Sequence, residues 1–133
     1  MKTLCFDGFG GPEFLQLRDL PAPALKPEHA LVRVKAIGLN FADVYRRKGN
    51  YHLDGKPPYV AGYEGAGVVE SSSGEAGGVK PGDRVSRAEE LFGWVRSSRL
   101  RVRVAARFAL SEGAAAHAFL ESRRSIGKVL LLP

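Results

Sequence analysis

Val32-Arg33-Val34-Lys35-Ala36-Ile37-Gly38-Leu39-Asn40-Phe41-Ala42-Asp43-Val44-Tyr45-Arg46-Arg47-Lys48-Gly49 changes its period halfway along. Up to Leu39 the side chains alternate: Leu31, Arg33 and Lys35 interleave with Val32, Val34 and Ala36. That two-residue repeat predicts a strand over 29–39 with one apolar and one mixed face. Asn40 then stands where a helix needs an N-cap, its side chain suited to the first unsatisfied backbone N–H groups. Residues 41–48 contain neither glycine nor proline and read as a short helix, with Gly49 as the left-handed residue that ends it. Helical spacing puts Phe41 and Tyr45 on one face, where Phe41 is expected to be a core contact.

Moving outward, residues 2–9 read as a strand ended by the turn Gly10-Gly11-Pro12, and 14–20 as a strand stopped by Pro21-Ala22-Pro23. Residues 50–60 form a Pro- and Gly-rich loop holding Tyr51, His52 and Tyr59. A glycine-punctuated strand follows over 62–70, then a flexible loop over 71–78, then the turn Lys80-Pro81-Gly82-Asp83 feeding another strand. A helix is expected over 88–97 and a strand over 99–104. Ser111 is placed to cap a helix running to about Arg123, and 127–132 closes as an apolar strand. Short strands with three short helices between them predict a mostly β, α+β fold, a small barrel or curled sheet with helices attached.

A chain of 133 residues suits one domain. With 44% hydrophobic and 26% charged residues, wholesale disorder is excluded. The longest apolar run, Val129-Leu130-Leu131-Leu132, is far short of the roughly 20 residues of a membrane span. Asp7 interrupts the N-terminus before a signal-peptide core can form, so a cytoplasmic location is expected. Cys5 is the only cysteine, which excludes an internal disulfide and leaves it best read as a small buried apolar group. Charge is uneven, with a net of +1 over residues 1–86 and +5 over 87–133. Such asymmetry raises a nucleic-acid partner, RNA or a single strand. The alternation of Arg99, Arg101 and Arg103 with Leu100, Val102 and Val104 also fits a half-buried strand with a basic outer face. Aromatic stacking residues are not interleaved with these arginines.

Several stretches, in order, resemble the medium-chain dehydrogenase/reductase superfamily and its quinone oxidoreductase (zeta-crystallin-like) branch. They are Phe9-Gly10-Gly11-Pro12-Glu13, the strand–helix stretch from Val32 to Gly49, Gly62-Tyr63-Glu64-Gly65-Ala66-Gly67-Val68-Val69-Glu70, Gly82-Asp83-Arg84-Val85, and a C-terminal stretch from Ala114 to Leu130. The resemblance implies a GroES-like β-barrel, the substrate-side domain of alcohol-dehydrogenase-like enzymes, without the NADPH-binding Rossmann domain. Residues 1–133 would then be one domain, an N-terminal segment of residues 1–86 joined near 85–88 to a C-terminal segment of residues 88–133. None of the 16 glycines completes the Gly-x-Gly-x-x-Gly that a dinucleotide pyrophosphate requires.

In the intact family a hydride passes from NADPH to a quinone or enone. By resemblance Asn40 contacts the cofactor, Arg123 reaches its phosphate, and the phenols of Tyr45 and Tyr51 stack on or donate to the substrate. From the residues alone, Tyr45 and Arg123 read equally well as a half-buried helix aromatic and a solvated helix-end charge. Asp43 is expected on the helix surface, and Glu64 as a partner for backbone or an arginine. Zinc-dependent members carry Cys and His where Asn40 and Tyr63 stand, and His29, His52 and His117 lack metal spacing, so no metal is expected. Little or no activity is expected of the chain alone. Loss of a packing face predicts a homo-oligomer.

Overall fold

The computed structural model describes residues 1–51, 53–86 and 102–133. In chain order they form β1 (Lys2–Phe6), β2 (Gln16–Asp19), β3 (Ala30–Leu39), α1 (Phe41–Arg47), β4 (Tyr59–Val60), β5 (Glu64–Ser72), β6 (Arg84–Ser86), β7 (Val104–Ala109), α2 (Gly113–Glu121) and β8 (Lys128–Leu132). Short 3-10 turns lie at Pro12–Phe14, Ala76–Gly78 and Leu110–Glu112. The fold is mostly β, as the alternating segments predict.

Two sheets carry the strands, a three-stranded one ordered β2-β1-β4 and a five-stranded one ordered β6-β5-β3-β8-β7. β3 is the centre of the larger sheet, antiparallel to β5 along its length and to β8 at its end, where Leu39 faces Val129. The C-terminal segment therefore completes a sheet begun by the N-terminal one. β7 and β8 run parallel, with α2 crossing between them, so one βαβ unit sits within an otherwise antiparallel arrangement.

The core lies where the end of β3, β8, α1, α2 and β1 converge. Leu4, Phe6, Leu39, Val44, Ala116, Leu120, Val129 and Leu131 are buried together there. Along α2, Gly113, Ala116, His117 and Leu120 are the buried positions, the i, i+3, i+4, i+7 stripe of a half-buried helix. A Cβ at Gly113 would collide with the Leu4 side chain, so glycine lets the helix seat directly on β1.

Several expectations are corrected. The strand expected over 99–104 begins only at Val104 and extends to Ala109, and the portion of the prediction before residue 102 lies outside the described residues. Parallel pairing to β8, rather than local alternation, makes this strand. The helix expected over 88–97 also lies outside them. Ser111 sits within a 3-10 turn and does not cap α2; instead Glu112 Oε2 accepts from the Ala109 N–H at 2.8 Å. The loop expected from residue 71 starts later, because β5 continues to Ser72 against Ala30. Val32 and Val34, on the expected apolar face of β3, are exposed, since only the end of that strand enters the core.

Candidate functional site

Asn40 sits where β3 passes into α1, in extended backbone geometry. Its N–H donates to Asp43 Oδ2 at 2.7 Å, which ties the helix start to the strand end. Asp43 is buried, not on the helix surface as expected. Burial raises its carboxyl pKa, against the pull of the Asn40 N–H and the Lys128 and Arg46 charges.

The Asn40 side chain meets two charged partners. Its Nδ2 donates to Glu64 Oε2 at 3.0 Å, and its Oδ1 accepts from Lys128 Nζ at 2.9 Å. Lys128 also donates to Glu64 Oε2 at 2.7 Å. The sheet explains the meeting. Gly38 faces Glu64 on β5 and Leu130 on β8. A Cβ on Gly38 would fall 2.5 Å from both Glu64 Oε1 and Lys128 Cε, so any larger residue would push these side chains from their present positions. Burial alone would raise the Glu64 pKa, but the Lys128 ammonium and Asn40 amide outweigh it and hold the carboxyl below its ordinary range. The partner of Glu64 is thus a lysine rather than an arginine.

Two aromatic pairs flank this cluster. Phe41 and Tyr45 lie 6.3 Å apart on α1, with the Arg123 guanidinium 5.6 Å over the Phe41 ring. Tyr51 stands edge-on to Tyr63 at 6.0 Å, and the Arg46 guanidinium lies 4.9 Å over Tyr63. Tyr45 and Tyr51 are 46% and 51% exposed, so both present open ring surface. Phe41 is exposed as well, which corrects its expected place in the core. Of the predicted residues, Asn40, Tyr45 and Arg123 gather around α1, while Tyr51 enters through Tyr63. Sequence alone does not single out Lys128, Tyr63 or Arg46. Tyr63 is visible there only as the residue standing in a zinc ligand's position, and Lys128 only as the start of an apolar strand.

Behind the site a buried polar cluster holds α1 to α2. Arg47, fully buried, donates to Glu121 Oε1 at 2.9 Å and to the Gly10 carbonyl, and Lys48 pairs with Glu121 at 2.7 Å. His117 is buried beside them, and among the described residues neither ring nitrogen has a hydrogen-bond partner. Burial and the Arg47 charge lower its pKa to about 4. Among the described residues, no three His, Cys, Asp or Glu side chains gather as a metal site, and no helix is long and apolar enough to cross a membrane.

A strand-to-helix junction with a buried acidic cap, in a mostly β fold whose larger sheet takes in the C-terminal strand, agrees with the family found by comparison. The alcohol dehydrogenase GroES-like domain matches residues 26–120, and the chain belongs to that family. The chain is 45% identical over 92 residues to a quinone oxidoreductase of Pseudomonas aeruginosa, a match covering 69% of this chain and 28% of that protein. It is 38% identical to the Escherichia coli quinone oxidoreductase complexed with NADPH, covering 65% of this chain and 26% of that one, with a TM-score of 0.56. The fold also matches the quinone oxidoreductase of Coxiella burnetii, at 14% identity and a TM-score of 0.90, over 100% of this chain and 99% of that one. The chain thus spans under a third of the length of the curated relatives it matches.

A dinucleotide would need a hydrogen-bonding group for its nicotinamide end and a cation for its phosphates. Asn40 offers an amide at the start of α1, the helix that carries the exposed Tyr45, and Arg123 sets a cation over the Phe41 ring of the same helix. The sequence has no Gly-x-Gly-x-x-Gly turn for the pyrophosphate.

Proposed function

We propose that the chain is the substrate-side domain of an NADPH-dependent quinone oxidoreductase and is nearly inactive by itself. What supports this is that the held Asn40 amide starts the helix that carries Tyr45, and that the exposed Tyr45 and Tyr51 rings each pair with a second aromatic whose face an arginine covers. The 38% identity to a protein complexed with NADPH supports the cofactor assignment. When bound, NADPH supplies a hydride. Asn40 orients the nicotinamide end by hydrogen bonding, and Arg123 attracts a phosphate. Tyr45 and Tyr51 stack on a flat quinone or enone, and their phenols donate to the oxygen on which charge develops. No metal is needed for these roles.

The same proposal takes residues 1–133 as one GroES-like domain, with an N-terminal segment of residues 1–86 and a C-terminal segment of residues 88–133 joined near 85–88. The pairing of β3 with β8 supports it, because the two segments share one sheet and one core. A cytoplasmic location and a homo-oligomeric state belong to the proposal as well. The alternative, a module binding RNA or single-stranded nucleic acid through the basic strand Arg99–Arg103, is the weaker reading: residues 99–101 lie outside the described residues, and Val102 and Arg103 precede β7.

The test is a titration of the 15N,13C-labelled chain with a water-soluble naphthoquinone, followed by NMR. Saturable shifts of the Tyr45 and Tyr51 ring signals are expected, and Tyr45→Ala should weaken the affinity read at the Tyr51 ring about tenfold. Shifts confined to other surfaces would overturn the assignment.

A further inference from the structure

Lys128 lies 88 residues from Asn40 in the chain, yet the two are joined. The ammonium donates to the amide oxygen, the amide nitrogen donates to the Glu64 carboxylate, and the ammonium donates to the same carboxylate oxygen, which closes a ring. An asparagine amide has nearly the same shape either way round, so its neighbours decide which end is which. Here a cation faces the oxygen and an anion faces the nitrogen. The flipped amide would set its NH2 against the ammonium and its oxygen against the carboxylate. Beyond the ring, the second N–H of Asn40 is only loosely engaged, by the Gly38 carbonyl at 3.5 Å.

We propose that Lys128, together with Glu64, is a positioning residue: the ion pair locks the Asn40 amide in one orientation, so that a fixed donor and acceptor face the nicotinamide end of the cofactor. Stability is a poor reason for the pair. The Glu64 side chain is 48% exposed and that of Lys128 23% exposed, and ion pairs this open to water contribute little to folding. The pair in its present place also crowds Gly38, where a Cβ would displace both side chains, and a glycine inside a strand weakens it. Because it takes Asn40 as a cofactor contact, the proposal stands on the function given above.

The test follows the Asn40 side-chain amide signals of the 15N-labelled chain by NMR while NADPH is added to millimolar concentration. In the wild type, two well-separated amide protons that move on addition of NADPH are expected. Lys128→Met should collapse their separation and weaken the NADPH-induced shift at Asn40 about tenfold. Lys128→Arg should restore both, and the melting temperature should barely change among the three. Glu64→Gln breaks the ring from the other side and should act in the same direction, which keeps the test decisive if Lys128→Met does not fold. An unchanged NADPH affinity and shift in Lys128→Met and Glu64→Gln would overturn the positioning role and leave the cofactor assignment standing. If NADPH moves no signal of Asn40, Tyr45 or Arg123 in the wild type, the cofactor assignment itself fails, and the positioning role with it.

Discussion

His117 is the residue whose surroundings suit it least. It occupies the apolar face of α2 between Ala116 and Leu120, fully buried, with both ring nitrogens unpaired among the described residues and Arg47 close by. Its folded pKa of about 4 lies below the ordinary 6.5, so in that interval the unfolded chain binds the proton that the folded chain excludes. Stability should therefore fall as pH drops from about 6.5 to 4, by on the order of 3 kcal/mol from this group. Urea denaturation across that range should show the slope, and His117→Leu should flatten it; equal slopes in both proteins would contradict the assignment. Asn40 is legible from the sequence, because a strand-to-helix junction calls for a capping residue. Lys128 is not, since only the β3–β8 register brings it to Asn40. Asp43 misleads for a related reason: a carboxylate one turn into a helix is usually solvated, and here Asn40 and the packing of α1 bury it.

At the scale of elements, β8 and the α1–α2 contact hold the site in place. Val129 and Leu131 are buried on one face of β8 while Leu132 is exposed, and both belong to the core beneath Leu39. Leu131→Ala should cost about 3 kcal/mol, the usual range for a large-to-small change in a core. A loss below about 1 kcal/mol by chemical denaturation would mean that β8 is less firmly docked than described. Glu121 bridges the buried Arg47 and Lys48. Glu121→Gln leaves the Arg47 charge uncompensated and should destabilise by about 2 kcal/mol, while Glu121→Gln combined with Arg47→Met should recover some of it. Non-additivity in that double-mutant cycle is the check. β3 and α1 are readable in advance because the side-chain period changes at Asn40. β7 is not, because Val104-Ala105-Ala106-Arg107-Phe108-Ala109 shows no alternation and becomes a strand only by parallel pairing with a segment some 20 residues on.

For the whole molecule, the order of motifs reveals the family, but the sheet arrangement comes from contacts between distant segments. The match over residues 26–120 identifies the domain, and the chain spans 28% of the Pseudomonas aeruginosa relative. Among the described residues Val60, Val102, Ile126 and Leu132 are exposed, and β6 and β7 form the two ends of the larger sheet. Dimers or larger assemblies are expected by light scattering at tens of micromolar; a monodisperse monomer would contradict this. The central claim is that a substrate-side site is present while firm dinucleotide binding is not. It is tested most directly by titrating NADPH into the purified chain at micromolar concentrations and following nicotinamide fluorescence, then repeating with a small quinone present. A folded circular-dichroism spectrum, no saturation at micromolar NADPH and no oxidation are predicted. Micromolar binding accompanied by quinone-dependent loss of NADPH would contradict the claim and make this chain an enzyme in its own right.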